Sequence, residues 1–252
     1  MKDSALRLQD KTILLAGPFN GITQAILSTI TEFGASVAFI NNQSPNASRF
    51  VEGVNESREI HPQWGRAAHY NLPLENEKQV QEALGRVAES LGRMDTMVDA
   101  TPLAWNNSTD AARAIEISSL LAEKSLPFLQ AKHRGRILYL SEDPCVSTIA
   151  PTMPATLHET LVRHIHELAE KHRGSTVTVN GLTIGVSDDF LLKAFPTNSS
   201  LKQTFEGLQK QHAKLKLIEY TDVAHGVVYL ASGLSSSVTG QTLRLTHGFH
   251  LS

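Results

Sequence analysis

With 252 residues, 41% of them hydrophobic and 19% charged, the chain has the makeup of one soluble α/β domain and is too short to carry a separate substrate domain. A formal net charge of −2 gives no electrostatic case for nucleic acid or an anionic membrane surface, and no apolar run reaches the length of a membrane span. One cysteine, Cys145, excludes an internal disulfide and fits a reducing compartment. With no apolar signal core in Met1–Asp10, the cytoplasm is the expected location.

The chain opens on a strand–turn–helix–strand unit. Thr12–Ala16 is a short apolar run of the buried-strand kind, and Gly17 and Gly21 follow it. Ile22, Ala25, Ile26, Ile30 and Phe33 then recur at helical spacing, Gly34 is a helix stop, and Val37–Ile40 is a second buried strand. Such a βαβ unit can hold a pyrophosphate, because glycines let the backbone approach it and the helix N-terminus offers unpaired N–H groups. The spacing is Gly17-x-x-x-Gly21-x-Thr23 rather than G-x-G-x-x-G, so a structural tight turn accounts for it equally well.

Alternation continues to the end of the chain. Asn46–Arg58 is polar enough for an exposed helix or a loop; Arg66–Tyr70 is expected as strand three, and Glu75–Leu91 as a helix. Asp95–Val98 is strand four, Thr109–Gln130 a long helix apolar on more than one side, and Arg136–Leu140 strand five. Leu157–Lys171 is a helix and Thr176–Leu182 strand six. Asp188–Lys214 is an amphipathic insertion, part of a lid-like segment over residues 186–216. Thr221–Ala231 is a helix with Thr221 as its N-cap, and Gln241–Leu245 closes as strand seven. Repeated β/α alternation predicts one Rossmann-like domain over residues 1–252: a doubly wound parallel sheet of seven strands with helices on both faces.

Several segments resemble the short-chain dehydrogenase/reductase family over nearly the whole length. Ala16-Gly17-Pro18-Phe19-Asn20-Gly21-Ile22-Thr23 stands where that family has T-G-x-x-x-G-I-G. Gly92–Val98 is similar to G-R-[LI]-D-x-L-V, Gly135–Ser141 to G-R-I-V-x-[IV]-S, and Val179–Leu182 to V-N-x-[IV]. Asp222-Val223-Ala224, Tyr229–Ser232 and Val238–Thr242 resemble its tail. The resemblance implies a cofactor, NAD or NADP, held by Gly17, Asn20, Gly21, Ile22, Asn41, Asn71 and Ala100. Asn41 and Asn42 replace the acidic or basic residue that would select between the two, and Pro18 removes one N–H from the cradle. It also implies a homodimer or homotetramer through the fourth and fifth helices.

The family's reaction needs a tyrosine as general acid or base, a lysine four residues later that lowers its pKa, a serine and a helix-four asparagine. Four residues after Tyr70, Tyr139, Tyr220 and Tyr229 stand Leu74, Asp143, Ala224 and Gly233. Seven residues after them, the spacing of the enoyl-acyl-carrier-protein reductase variant, stand Glu77, Val146, Val227 and Ser236. Counting back from Val179-Asn180 puts the tyrosine position at Ala150 and the lysine position at Pro154; the asparagine falls near Ala114, and the serine at Ser141 or Glu142 depending on register. The N-N-A-G that follows strand four in the family is here Asp99-Ala100-Thr101-Pro102.

The sequence therefore predicts the fold with a degenerate active site: a non-catalytic binding, regulatory or scaffold protein, with Ser141 and Glu142 as the remaining catalytic candidates. One alternative is an NAD(P)-dependent oxidoreductase with atypical catalytic residues. Another is a non-redox enzyme using Glu142, Asp143 and a histidine in the same cleft. No metal site is expected, since His158-Glu159 lacks the second histidine of H-E-x-x-H; His158, His164 and His166 read as a solvated helix face. Cys145 reads as a small loop side chain rather than a nucleophile. A small apolar ligand under the insertion fits Phe190, Leu191, Leu192, Phe195, Phe205 and Leu208.

Overall fold

The computed structural model describes residues 6–41, 44–104, 108–130, 134–148, 155–194, 203, 206 and 216–249. Seven parallel strands form one sheet in the order β3-β2-β1-β4-β5-β6-β7. They are β1 (Thr12–Ala16), β2 (Ser36–Ile40), β3 (Ala67–Tyr70), β4 (Thr96–Asp99), β5 (Arg136–Glu142), β6 (Thr178–Ile184) and β7 (Thr242–Leu245). Every residue of β1, β4 and β5 is buried, as expected of central strands with both faces covered. The seven expected strands and the expected helices outside the insertion are found, with ends shifted by at most two residues; most of the expected insertion over Asp188–Lys214 lies outside the described residues.

Six of the seven α-helices named among the described residues divide between the faces. On one side Ile13, Leu15, Val37 and Phe39 pack against α1 (Gly21–Glu32), α2 (Asn46–Ile60) and α7 (Tyr220–Ala231). On the other, Leu14, Ala38, Met97 and Ile137 pack against α3 (Glu77–Leu91), α4 (Ser108–Gln130) and α5 (Ala155–Lys171). The short α6 (Asp188–Ala194) follows β6. α2 is a true helix, because Ala47, Val51 and Val54 recur at helical spacing on its buried side. Thr221 does not cap α7: that helix begins one residue earlier, with Glu219 at the cap and no side-chain cap bond.

β1 and β4 are neighbours at the point where the strand order reverses, so their ends at Ala16 and Asp99 open the crevice in which such sheets bind ligands. β5 runs to Glu142, two residues beyond its expected end, which makes both Ser141 and Glu142 strand residues. No described helix is long and apolar enough to cross a membrane.

Candidate functional site

The glycine turn is built tightly around the chain's own side chains. A Cβ on Gly17 would come within 2.8 Å of the Ala100 Cβ, and one on Gly21 within 2.3 Å of the Tyr220 ring. Asn20 is the N-cap of α1: its Oδ1 accepts from the Thr23 amide at 3.0 Å while Thr23 Oγ1 accepts from the Asn20 amide at 3.1 Å, a complete capping box. Thr23 Oγ1 also donates to the Pro18 carbonyl at 2.6 Å. Thr23 is therefore spent on stiffening the turn.

The Ile22 amide, an N–H that an incoming phosphate would seek, donates instead to Asp189 Oδ2 at 3.2 Å. The other Asp189 oxygen accepts from the Tyr220 hydroxyl at 3.0 Å. Burial and then the neighbouring Asp189 push the Tyr220 phenol upward, away from any use as a base at neutral pH. Asn41 is buried, its Nδ2 donating to the Gly17 carbonyl at 2.8 Å and its Oδ1 accepting from the Ser44 amide at 3.1 Å. Asn71 is exposed just past β3.

Strand alternation separates the two catalytic candidates. Ser141 shares a side of the sheet with Tyr139, whereas Glu142 lines a cavity of about 210 Å³ together with Asn20, Ile22, Leu103, Asp189 and Phe190. No histidine, lysine or arginine lines that cavity among the described residues. Its volume of about 210 Å³ lies below the usual 300–1,000 Å³ of a ligand cleft. With the Ile22 amide already bonded, Pro18 lacking an amide earlier in the turn, and two carboxylates facing the space, the residues present do not fit a dinucleotide pyrophosphate.

Beside this cavity lies a second polar cluster. Asp143 is fully buried and accepts from Arg244 Nε at 2.7 Å, Arg244 Nη2 at 2.6 Å, Thr183 Oγ1 at 2.7 Å and the Cys145 amide at 3.0 Å. Burial alone would raise its carboxyl, but these donors outweigh it and hold it well below the usual carboxylate range. Burial and the Asp143 charge push the Cys145 thiol up, which removes it as a nucleophile.

His158 corrects the expectation of a solvated helix face. It is half-buried, with its Nδ1 enclosed and unbonded among the described residues, and it lies within reach of the charges of Asp143 and Arg244. His164 is turned inward too, sharing a 3.0 Å hydrogen bond with the buried Tyr139 hydroxyl; His166 is exposed as expected. Helix α5 carries both orientations because its inner face must cover β5 and β6. Ala114, at the asparagine position, packs against Leu157 of α5. Ala150, Pro154 and Asn42 lie outside the described residues, as do Phe195, Phe205 and Leu208 of the insertion. Phe190 and Leu191 are buried and Leu192 is exposed. Among the described residues, no group of three or more His, Cys, Asp or Glu side chains is placed to hold a metal.

Sequence reasoning did not find Asp189, Tyr220 or Arg244. Each acts across more than thirty residues of chain, and no local motif joins 189 to 22 or 244 to 143.

Comparison with known proteins fits this geometry to a lineage. A family model described as enoyl-(acyl carrier protein) reductase matches residues 17–250. The uncharacterized oxidoreductase YvrD of Bacillus subtilis is 23% identical, covering 96% of this chain and 97% of the relative. A (+)-borneol dehydrogenase of Salvia officinalis is 23% identical over 97% of this chain and 90% of its own length. Among solved structures, a short-chain dehydrogenase from Burkholderia cenocepacia in complex with NADP superposes with a TM-score of 0.77 at 22% identity, covering 97% of this chain and 99% of that one. The chain belongs to the short-chain dehydrogenase/reductase family of oxidoreductases.

Proposed function

We propose that this protein is a member of its oxidoreductase family that does not perform tyrosine- and lysine-assisted hydride transfer, and that serves instead as a binding or regulatory scaffold. The observation that carries this reading is the fate of the phenols nearest the sheet and cleft. Tyr139 is buried against His164, and Tyr220 is bonded to Asp189. Neither has a lysine four or seven residues later. A phenol raised by burial and by a neighbouring carboxylate is the reverse of what a general base at neutral pH requires.

The comparisons weigh toward a second reading, an NAD(P)-dependent oxidoreductase with atypical catalytic residues. The relatives include an oxidoreductase and a dehydrogenase by name, and one neighbour binds NADP. Titration with NADH and NADPH, followed by nicotinamide fluorescence, separates the two. No binding at millimolar cofactor is the expected result, and micromolar binding with turnover of a carbonyl substrate overturns the scaffold reading. The non-redox alternative gains no support from the cavity, whose lining holds no histidine among the described residues.

For assembly, we propose pairing of two copies through α4 and α5. Glu159, Arg163 and His166 are exposed on α5, so the contact would be wet and salt-sensitive. Light scattering at low and high salt tests it, and a monomer under both conditions would refute it.

A further inference from the structure

We propose that Ser48 and His69 form a nucleophile–base pair that accepts an acyl group from a small activated ester. The pair belongs to α2 and β3, whereas the reading above concerns hydride transfer in the cleft where β1 and β4 end. It is therefore a further activity, independent of whether a dinucleotide binds.

Ser48 Oγ and His69 Nδ1 are 2.7 Å apart, and His69 Nε2 lies 2.9 Å from the Asn41 carbonyl oxygen. A carbonyl oxygen can only accept, so Nε2 carries the ring proton. In the neutral ring Nδ1 then presents its lone pair, and the 2.7 Å contact is the serine hydroxyl donating to the imidazole. That polarity is the one a general base needs in order to take a proton from an attacking hydroxyl. The main-chain carbonyl does the orienting that a carboxylate does in other nucleophile–base arrangements.

The fold places the three groups without strain. β2 and β3 pair with Phe39 opposite His69, so the two rings lie 5.8 Å apart and Asn41 follows just past the end of β2. Helix α2 is the crossover between those strands. Asn55 clamps it to β3: its Oδ1 accepts from the Ala67 amide at 3.0 Å, and its Nδ2 donates to the Ala67 carbonyl at 2.8 Å. Ser48, in the first turn of α2, is exposed and open to a substrate, while His69 is half-buried.

The same turn offers a donor for the negative oxygen that acyl transfer creates. The Asn46 amide donates to Ser44 Oγ at 3.3 Å, and the Ala47 amide to the Ser44 carbonyl at 3.3 Å. The Ser48 amide is left without an acceptor among the described residues, at the end of the helix that carries partial positive charge. An N–H so placed stabilises a tetrahedral oxyanion on the carbon that Ser48 attacks.

The step balances with ester and water alone. Ser48 Oγ bonds to the ester carbonyl carbon as its proton passes to His69 Nδ1. The bond from that carbon to the leaving oxygen breaks, and the leaving alkoxide or phenolate takes the proton from Nδ1. Water then adds to the acyl carbon, giving a proton to Nδ1, from which it returns to Ser48 Oγ as the carboxylic acid departs.

The experiment treats the full chain with p-nitrophenyl acetate and measures, by peptide mass spectrometry, the rate at which each serine of α2 gains an acetyl group. Ser57 is the internal control: it stands on the same helix and donates to the Gly53 carbonyl at 3.1 Å rather than to an imidazole. Ser48 should be acetylated about a hundredfold faster than Ser57, and His69→Gln should slow Ser48 by about the same factor. Ser48→Ala should abolish the fast label, and Ser57→Ala should leave it unchanged. Should His69→Gln fold poorly, the ratio of Ser48 to Ser57 within one wild-type digest carries the test. Equal rates at the two serines, or a Ser48 rate indifferent to His69→Gln in a folded chain, overturns the proposal.

Discussion

Arg244 holds Asp143 in a two-point grip, Nε on one carboxylate oxygen at 2.7 Å and Nη2 on the other at 2.6 Å. The two residues are 101 positions apart, on β7 and just past the end of β5, and Thr183 of β6 adds a third bond to the same carboxylate. The pair therefore ties the last three strands together at their C-terminal ends, next to the cleft.

Breaking that grip from one side should be costly. Asp143 is fully buried, and Arg244→Met leaves its charge without a cation. The expected loss is on the order of 3 kcal/mol, the low end for a buried pair because Arg244 is itself partly exposed, with a fall of about 8 °C in Tm. Thermal unfolding by circular dichroism at neutral pH checks it. The linkage has a definite sign: the folded-state carboxyl lies below its unfolded value, so its contribution is present above about pH 4 and is lost as pH falls through the folded value. The stability gap between wild type and Arg244→Met should therefore narrow in acid. A gap independent of pH would contradict this assignment.

Asp99 should act in the opposite direction. Its carboxyl is wholly buried; one oxygen accepts from the Thr101 amide at 2.9 Å and hydroxyl at 2.6 Å, and the other has no hydrogen bond of normal geometry among the described residues. Burial raises its pKa despite the Thr101 donors and the nearby Ser118 hydroxyl. The folded chain then holds a proton that the unfolded chain releases, so stability declines as pH rises above about 4. Asp99→Asn should remove this slope and raise Tm at pH 8 by about 4 °C, an effect on the order of 1–2 kcal/mol. Melting curves at pH 5 and pH 8 decide it, and an unchanged or lowered Tm at pH 8 would overturn it.

The fold was legible in the sequence because its signal is local. Buried parallel strands read as apolar runs such as Thr12–Ala16, and helices show 3.6-residue spacing such as Val80, Leu84 and Val87. The glycine turn was legible as a turn but not in its use. Gly17 and Gly21 carry the same letters whether they admit a pyrophosphate or, as here, make room for Ala100 and Tyr220. The loss of the tyrosine–lysine pair was legible by counting. The partners of Asp143 and Asp189 were not, since each pairing is set by sheet register and helix docking rather than by spacing. His158 was misjudged for a related reason: a histidine in a polar helix reads as solvated unless its burial and the nearness of Asp143 and Arg244 are known.

Cys145 offers a chemical probe of the same corner. Burial and the adjacent Asp143 charge disfavour the thiolate. Reaction with a disulfide reagent at pH 8 should run about tenfold or more slowly than for free cysteine. Asp143→Asn should speed it by relieving the charge. Equal rates for native and denatured wild type would show that the thiol is not protected at all.

His158 reports on the cluster through its own titration. Burial lowers its pKa below the ordinary 6.5, while the Asp143 charge pulls it up and the Arg244 charge pushes it down. In wild type the imidazole should therefore be less protonated at pH 6.5 than a free histidine, and proton uptake by the unfolded chain should erode stability as pH falls. Arg244→Met removes one downward push and leaves the Asp143 carboxylate unopposed, so the His158 titration should move upward. The shift can be followed by the imidazole proton resonances of wild type and Arg244→Met, with His158→Gln used to assign the signal. A downward move, or none, would mean that His158 does not sense the Asp143–Arg244 pair. The cleft would then hold two independent polar groups rather than one coupled cluster.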